Sequence, residues 1–322
     1  MASERLIEML ADGRFHSGEA LATAAGVTRG AVWKQVARLA ALGLDVERVP
    51  GRGYRIAGGL DLLDAAAVRA GLGATAAARV DQLEVLRSVG STNSHLAERG
   101  GTARCAVCLA EHQSAGRGRL GRPWVSPFGA NLYVSLAWTF EALPAGIQAL
   151  GLAAGVAVAE ALDPQRRLGV GLKWPNDLVA QERKLGGLLV ELRGEPPGRT
   201  RAVVGVGINL RMPVAAASAI DQPWIDLATL APSLPSRSAL AAAVVDRLVE
   251  MLVRFEAWGF SGQRDAWSGR DALVGQRVTA VGPSATLTGI ARGIDQDGAL
   301  LVEVGGALER VFSAEVSVRG AA

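Results

Sequence analysis

The sequence predicts an α+β protein in three parts. Short helices followed by two short strands give residues 1–60 the spacing of a winged helix-turn-helix. Residues 61–270 alternate glycine-bearing strands with apolar helices. Residues 271–322 read as short strands separated by turns, the pattern of a small SH3-like barrel.

In the first part, Glu4 to Leu10 carry apolar side chains at helical spacing and end near Asp12-Gly13. Ser17 is placed to cap a second helix, Gly18 to Ala25, and Gly26 breaks it. Thr28 caps a third running to about Leu42, and Gly43 ends that one. Strands Leu44–Val49 and Gly53–Ile56 follow, with Pro50-Gly-Arg-Gly53 as the turn that makes a wing. From Thr28 to Ala57 six basic residues (Arg29, Lys34, Arg38, Arg48, Arg52, Arg55) stand against Asp45 and Glu47, a local net of +4 where the whole chain has +3. That concentration points to DNA, although winged helices also dock proteins. Arg29, Lys34 and Gln35 lie on the first turns of the recognition helix, the part that enters the major groove. Arg52 at the wing tip is positioned for a phosphate or the minor groove, and Trp33 is read as a packing residue. Ala57-Gly-Gly59 marks the boundary, and Leu60 to Leu72 reads as a further helix.

In the central part, strand Leu83–Leu86 leads to Gly90-Ser-Thr-Asn-Ser-His95 and a helix through Glu98. Ser91, Thr92 and Asn93 suit a helix cap, and equally a small polar ligand. Gln113-Ser-Ala-Gly-Arg-Gly-Arg-Leu-Gly-Arg-Pro-Trp124 is the most distinctive stretch. Its glycines let backbone approach a ligand, and its arginines offer forked, permanent charge to carboxylate or phosphate oxygens. Gly116, Gly118 and Gly121 match the dinucleotide fingerprint, but Pro123 and a loop follow where that motif requires a helix start. Gly146 to Leu162 reads as a tightly packed interior helix, not a membrane span. Val170–Lys173 and Asp177–Val179 form strands around a Pro175-Asn176 bend, and Lys184–Glu191 returns after Gln181-Glu-Arg183. Glycines Gly186, Gly187, Gly205 and Gly207 weaken strands unless something packs closely on them. Cys105 and Cys108 lie three apart on a strand, so they point to opposite faces and share neither metal nor disulfide. No metal-ligand set is assigned.

After the amphipathic helix Ala239–Gly259, strands Arg277–Val281, Thr286–Ala291, Ala299–Glu303 and Glu309–Phe312 follow, with turns at Gly282-Pro283 and Asp295–Gly298. The modest net charge excludes binding by bulk electrostatics alone, so a nucleic-acid site must be a local patch. The first thirteen residues lack the pattern of a secretory signal, which makes the cytoplasm the expected location with no membrane partner. Of 34 basic residues only Lys34, Lys173 and Lys184 are lysine. A lysine offers a compact point charge that arginine cannot, and two of the three lie close together.

Gly116–Trp124, Lys173-Trp-Pro-Asn-Asp177, Lys184-Leu-Gly-Gly187 and Gly205-Val-Gly-Ile-Asn209 together resemble the bifunctional biotin–protein ligases that also repress the biotin operon. The resemblance covers nearly the whole chain. It implies a central mixed β-sheet domain similar to class II aminoacyl-tRNA synthetases and lipoate ligases. It implies that ATP activates biotin to biotinyl-5′-AMP, with Mg²⁺ assisting, and that a lysine of the biotin carboxyl carrier protein then takes the acyl group. Operator DNA and an adenylate-promoted homodimer are the further expectations. By resemblance, Ser91, Thr92, Asn93, Gln113, Arg117 and Gly118 hold biotin, and Arg119 retains the adenylate. Lys184 faces the biotin carboxylate and reacting phosphate. Arg122, Trp124, Lys173, Asn176, Asn209 and Trp224 are assigned to the nucleotide, and Asp177 to the proton of the incoming lysine. The family usually has an acidic residue where Gly90 stands and often a basic one at Pro123, which removes one phosphate contact. The rival readings are a ligand-sensing repressor without catalysis, a lipoate–protein ligase, and a ligase that has lost DNA binding.

Overall fold

Three short helices open the chain: α1 (Ala2–Leu10), α2 (Gly18–Ala25) and α3 (Arg29–Ala41). The structure, a computed structural model, describes residues 2–99, 103–194, 198–281, 286–312 and 317–320. Ser17 Oγ accepts from Ala20 N at 3.0 Å and Thr28 Oγ1 from Ala31 N at 3.2 Å, each satisfying a donor that a first helical turn leaves free. Gly26 ends α2 at φ 64°, where a side chain would be strained. Strands β1 (Val46–Val49) and β2 (Gly53–Ile56) pair antiparallel as the wing. Val32 and Leu39 turn inward to join Leu6, Leu10, Leu21 and Ile56 in a small separate core. Phe128, from a loop more than seventy residues further on, is buried in that same core.

The expected helix from Leu60 to Leu72 is shorter, α4 (Ala65–Ala70), capped by Asp64. Residues 60–63 are instead spent on tertiary bonds. Leu60 N donates to Ala11 O, Leu63 N donates to Glu111 Oε1 at 2.6 Å, and Asp61 Oδ2 accepts from Arg237 N at 2.6 Å. Helical spacing was present, but these long-range partners override it.

The central region follows as α5 (Ala74–Arg79), β3 (Gln82–Leu86), α6 (Thr92–Glu98), β4 (Cys105–Ala110), β5 (Leu132–Phe140) and α7 (Leu150–Leu162). Next come β6 (Gly171–Lys173), β7 (Asp177–Ala180), β8 (Arg183–Arg193) and β9 (Thr200–Ile208). Short α8 (Val214–Ala217) and α9 (Leu227–Leu230) precede the long α10 (Arg237–Trp258) and then α11 (Arg264–Ser268). The seven strands form one mixed sheet in the order β3-β4-β5-β9-β8-β7-β6, parallel only between β3 and β4.

Side-chain alternation then decides where a site can form. Val204, Val206 and Ile208 bury against α7 and α10 on one face, through Val156, Leu248 and Phe255. On the other face Val203, Ala106 and Ala137 pack under Leu96 and Ala97 of α6. Gly205, Gly207 and Ser135 share this second face, and the glycines leave it bare beyond α6. Cys105 joins the first core and Cys108 the second, so the two thiols point apart as expected. Burial pushes each of them up to about 12.

Strands β10 (Arg277–Val281), β11 (Thr286–Ile294), β12 (Leu300–Val304), β13 (Ala307–Val311) and β14 (Ser317–Gly320) form an antiparallel sheet in the order β13-β12-β11-β10-β14. The expected turn at Gly282-Pro283 lies outside the described residues. The turn at Asp295–Gly298 is present, with Asp295 Oδ1 accepting from Asp297 N and Ala299 N at 2.8 and 2.9 Å. Val278, Leu300 and Val302 belong to the same continuous core as α7 and α10, and Trp174 Nε1 donates to Gly298 O at 3.0 Å. This sheet is therefore fused to the central region, whereas the winged helix keeps its own core. Among the described residues, no helix is long and apolar enough to cross a membrane.

Candidate active site

A cleft of about 1490 Å³ opens on the bare face of the sheet. That is larger than a pocket for one small molecule, and it has room for a nucleotide beside a second substrate. Ser91, Thr92, Asn93, Gln113, Arg117, Gly118, Arg119, Arg122, Trp124, Lys173, Asn176, Asp177, Lys184, Asn209 and Trp224 all line it. Residues more than a hundred positions apart thus converge in one cavity.

One end is polar and tightly bonded. Ser91 caps α6, so Thr92 and Asn93 sit at its start. Gln113 Oε1 accepts from Thr92 N and Thr92 Oγ1 at 2.9 and 3.1 Å. The Ser135 hydroxyl donates to Asn93 Oδ1 at 2.6 Å and lies 2.7 Å from Thr92 Oγ1. Asn93 Nδ2 donates to Glu191 Oε2 at 2.8 Å and Leu189 O at 3.2 Å. A Cβ on Gly205 would collide with Asn93 Oδ1, which explains that glycine. Ser135 and Glu191 were not predicted. Ser135 hides in an apolar strand, although Glu191, a carboxylate closing the Lys184–Glu191 strand, offered a faint signal.

The other end is cationic. Residues 116–124 fold back on themselves: Trp124 N donates to Gly116 O at 2.9 Å and Gly118 N to Arg122 O at 2.7 Å. A single tight turn, Arg119–Gly121, forms the tip, and no helix N-terminus follows it. The dinucleotide reading therefore fails on geometry. Arg117 Nη2 donates to Ser94 Oγ at 2.6 Å and lies 3.7 Å from Glu191. Burial lowers the Arg119 guanidinium below its ordinary range, with the Asp177 charge opposing that shift. Lys184 Nζ contacts Asp177 Oδ1 at 2.8 Å and stands 5.6 Å from the Trp124 ring centre, both residues being mostly shielded.

Trp124 lies in a groove made by two glycines. A Cβ on Gly207 would come within 2.5 Å of the indole, and one on Gly187 within 3.5 Å. The strand glycines therefore seat protein side chains as well as leaving room for ligand. Trp124 Nε1 is buried and has no hydrogen-bond partner among the described residues. Trp224 is fixed beside Lys184 by backbone pairing, Lys184 N to Pro223 O and Ile225 N to Lys184 O, both 2.9 Å. Asn176 and Asn209 line the cleft and also brace its strands. Asn176 Nδ2 donates to Leu188 O at 2.8 Å and Asn209 Nδ2 to Ile225 O at 3.2 Å, so their amide donors hold backbone.

Glu84, His95 and Cys108 place potential metal-ligand atoms within 4.8 Å of one another behind this site. His95 and Arg99 already occupy the Glu84 carboxylate, at 2.7 and 2.5 Å, and the Cys108 thiol stays protonated at neutral pH. That chemistry describes an ion-pair cluster.

On the winged helix, Arg29 and Lys34 are exposed on α3 and Arg52 is exposed in the wing, its guanidinium 4.2 Å from the Phe15 ring centre. Gln35 is less exposed than Arg29 and Lys34 on the same helix. It is half-buried, and its Oε1 is enclosed without a partner among the described residues. Trp33 departs from its reading as a packing residue, being 55% exposed. Both follow from the 100° step along a helix: with Val32 and Leu39 inward, position 33 must face out and position 35 partly in.

Residues 87–209 match the biotin/lipoate A/B protein ligase family, residues 3–55 an HTH domain, and residues 273–319 the biotin protein ligase C terminal domain. The chain is 41% identical to the bifunctional ligase/repressor BirA of Salmonella typhimurium, over 98% of this chain and 97% of that protein. It is 34% identical to the biotin–[acetyl-CoA-carboxylase] ligase of Mycobacterium tuberculosis, over 73% of this chain and 88% of that one. The biotin protein ligase of Aquifex aeolicus, solved in complex with biotin and ATP, superposes with a TM-score of 0.64 at 28% identity, covering 75% of this chain and 100% of that one. With the winged helix, the cationic cleft and near-full-length identity all agreeing, the chain belongs to the bifunctional biotin–protein ligase/repressor family.

Proposed function

We propose that this chain activates biotin with ATP, transfers it to a carrier-protein lysine, and represses transcription through its winged helix. The observation that carries the reading is the convergence of Arg117, Arg119, Arg122, Lys173 and Lys184 on one cleft that also carries the hydroxyl and amide groups of Ser91, Thr92, Asn93 and Gln113. A carboxylate must approach a polyanion there, and fixed positive charge offsets the repulsion before reaction. The biotin carboxylate oxygen attacks the α-phosphorus, giving biotinyl-5′-AMP and releasing pyrophosphate. The carrier lysine amine then attacks the acyl carbon, and AMP leaves.

Thr92, Asn93 and Gln113 hold the biotin head among their mutual hydrogen bonds, with Ser91 fixing the helix start and Arg117 and Gly118 closing one side. Lys184, oriented by Asp177 and seated over Trp124, faces the reacting carboxylate and phosphate. Burial disfavours the charge on Arg119 and the Asp177 charge opposes that shift; an arriving phosphate adds a further charge-assisted contact. Arg122 and Lys173 take the outer phosphates, and Trp224 stacks on adenine. For Asp177 to receive the amine proton, its pair with Lys184 must open. Asn176 and Asn209 act by holding the strands that carry Lys184. Mg²⁺ fits this donor set as an ion borne mainly by the ATP phosphates and water, because the carboxylate nearest the lysine, Asp177, is already paired.

The division 1–60, 61–270 and 271–322 follows these roles, and the antiparallel sheet, in which β14 returns to pair with β10, supports an SH3-like barrel. The carrier is the biotin carboxyl carrier protein, the location cytoplasmic, and the repressor an adenylate-promoted dimer on a two-fold operator. Incubation with labelled biotin, ATP and the carrier domain, with lipoate as competitor, tests the enzyme. Label should appear on the carrier and resist lipoate; an unlabelled carrier rejects the reading.

A further inference from the structure

We infer that Trp33 reads thymine in operator DNA, its indole meeting the C5 methyl group in the major groove. The inference deepens the repressor reading and rests on it. Trp33 is the fifth residue of α3, within the segment of a recognition helix that reaches base edges. Its indole is 55% exposed, while Val32 and Leu39, about a third of a turn round the helix, are buried. Gly30 and Ala37, one turn away on the same face, are both exposed. A Cβ on Gly30 would meet nothing nearer than Thr28 Oγ1 at 4.0 Å. Of the four positions one turn from the indole two are small, Gly30 and Ala37, beside Arg29 and Val36, and the indole stays more than half exposed.

Charge selects the occupant of this face. Arg29, Lys34 and Arg38 stand on the same helix as the indole, all exposed, and α3 contains no acidic residue. A protein or second copy of this chain meeting that surface would have to neutralise three cations. DNA phosphates do so along both walls of the groove. The groove floor offers one large apolar group, the thymine methyl, and an indole has an apolar face to match it. Arg29 and Lys34 then supply position and affinity, and Trp33 supplies base choice.

The test uses the full-length protein with biotin and ATP. Duplexes are selected from a random pool and remade with uracil for thymine, which removes only the methyl. Wild type should bind the uracil duplex about tenfold more weakly, the scale of one altered base pair. Trp33→Ala should weaken binding to the thymine duplex about tenfold and lose the thymine/uracil difference, with the melting temperature and salt dependence unchanged. Lys34→Ala should keep that difference and reduce the salt slope by about one. If Trp33→Ala retains the wild-type thymine/uracil ratio, the inference falls while DNA binding stands. If Trp33→Ala changes the association state and not base discrimination, the residue is a protein contact and the inference also falls. If no duplex is enriched, the repressor reading itself fails and takes the inference with it.

Discussion

The cleft and the winged helix are both rich in arginine, yet they hold positive charge in opposite ways. In the cleft Lys184 is braced by Asp177 at 2.8 Å and Arg117 by Ser94 at 2.6 Å. Asp177 stands on β7 of a sheet whose core is continuous with α7, α10 and the C-terminal strands, and Ser94 stands on α6, packed over the other face of that sheet. On α3, Arg29, Lys34 and Arg38 stand in solvent above a core of ten buried hydrophobic residues. Braced charge in a concave site suits chemistry, since the groups need not reorganise as charge develops. Solvated charge on a convex helix suits a polyanion that brings its own counterions and releases them. The two regions meet through Phe128, buried in the winged-helix core, and through Arg87, which reaches Glu8 of α1 at 2.9 Å and Glu111 at 3.4 Å.

The largest expected effect breaks the braced side. Lys184→Gln should slow adenylate formation about 100- to 1000-fold, as removal of one preorganised charge-stabilising group does elsewhere. Single-turnover formation of labelled adenylate measures this, and near wild-type rates would show that the pair with Asp177 is only structural. Phe128→Ala separates the regions next. It should destabilise the winged-helix core by about 3–5 kcal/mol, since a buried phenylalanine leaves a cavity there. Amide exchange should accelerate in α1 to α3 but not in β5 and β9; equal acceleration in both would mean one cooperative unit.

Arg119→Gly sharpens the comparison within the cleft. Losing a charge-assisted contact should speed adenylate release about 10- to 100-fold. Stray biotin on bystander lysines reports the release, and unchanged carrier selectivity would refute the clamp. The smallest effect concerns the thiols. With Cys105 and Cys108 pushed up to about 12 by burial, both stay protonated at pH 8, and iodoacetamide should leave the native protein unmodified. Rapid alkylation in the folded state would contradict their placement.

Much of this was legible because it rests on chemistry within a few residues. Ser17 and Thr28 cap helices three positions ahead, Gly26 stops one, and the Arg-Gly loop lacks a following helix on inspection. Lys173, Lys184, Gly187, Gly205 and Gly207 line one cleft, as their grouping suggested, whereas Gly186 faces Leu178 and does not. Other residues were not legible. Glu111 is wholly buried because Arg237, distant in sequence, pairs with it at 2.5 Å. Ser135 and Glu191 gain meaning only when β5, β8 and α6 stand together.

By itself, then, the sequence determined the three-part architecture, the helix termini, the cationic loop and the family. Local capping, glycine backbone freedom and motif spacing carry that information along the chain. Only the tertiary structure decided that residues 60–63 leave the helix, that Asn176 and Asn209 hold backbone, that Gly207 seats Trp124, and that Trp33 faces out while Gln35 turns in. Each of those outcomes depends on which distant group fills the space beside a residue, and packing settles that only after the whole chain has folded.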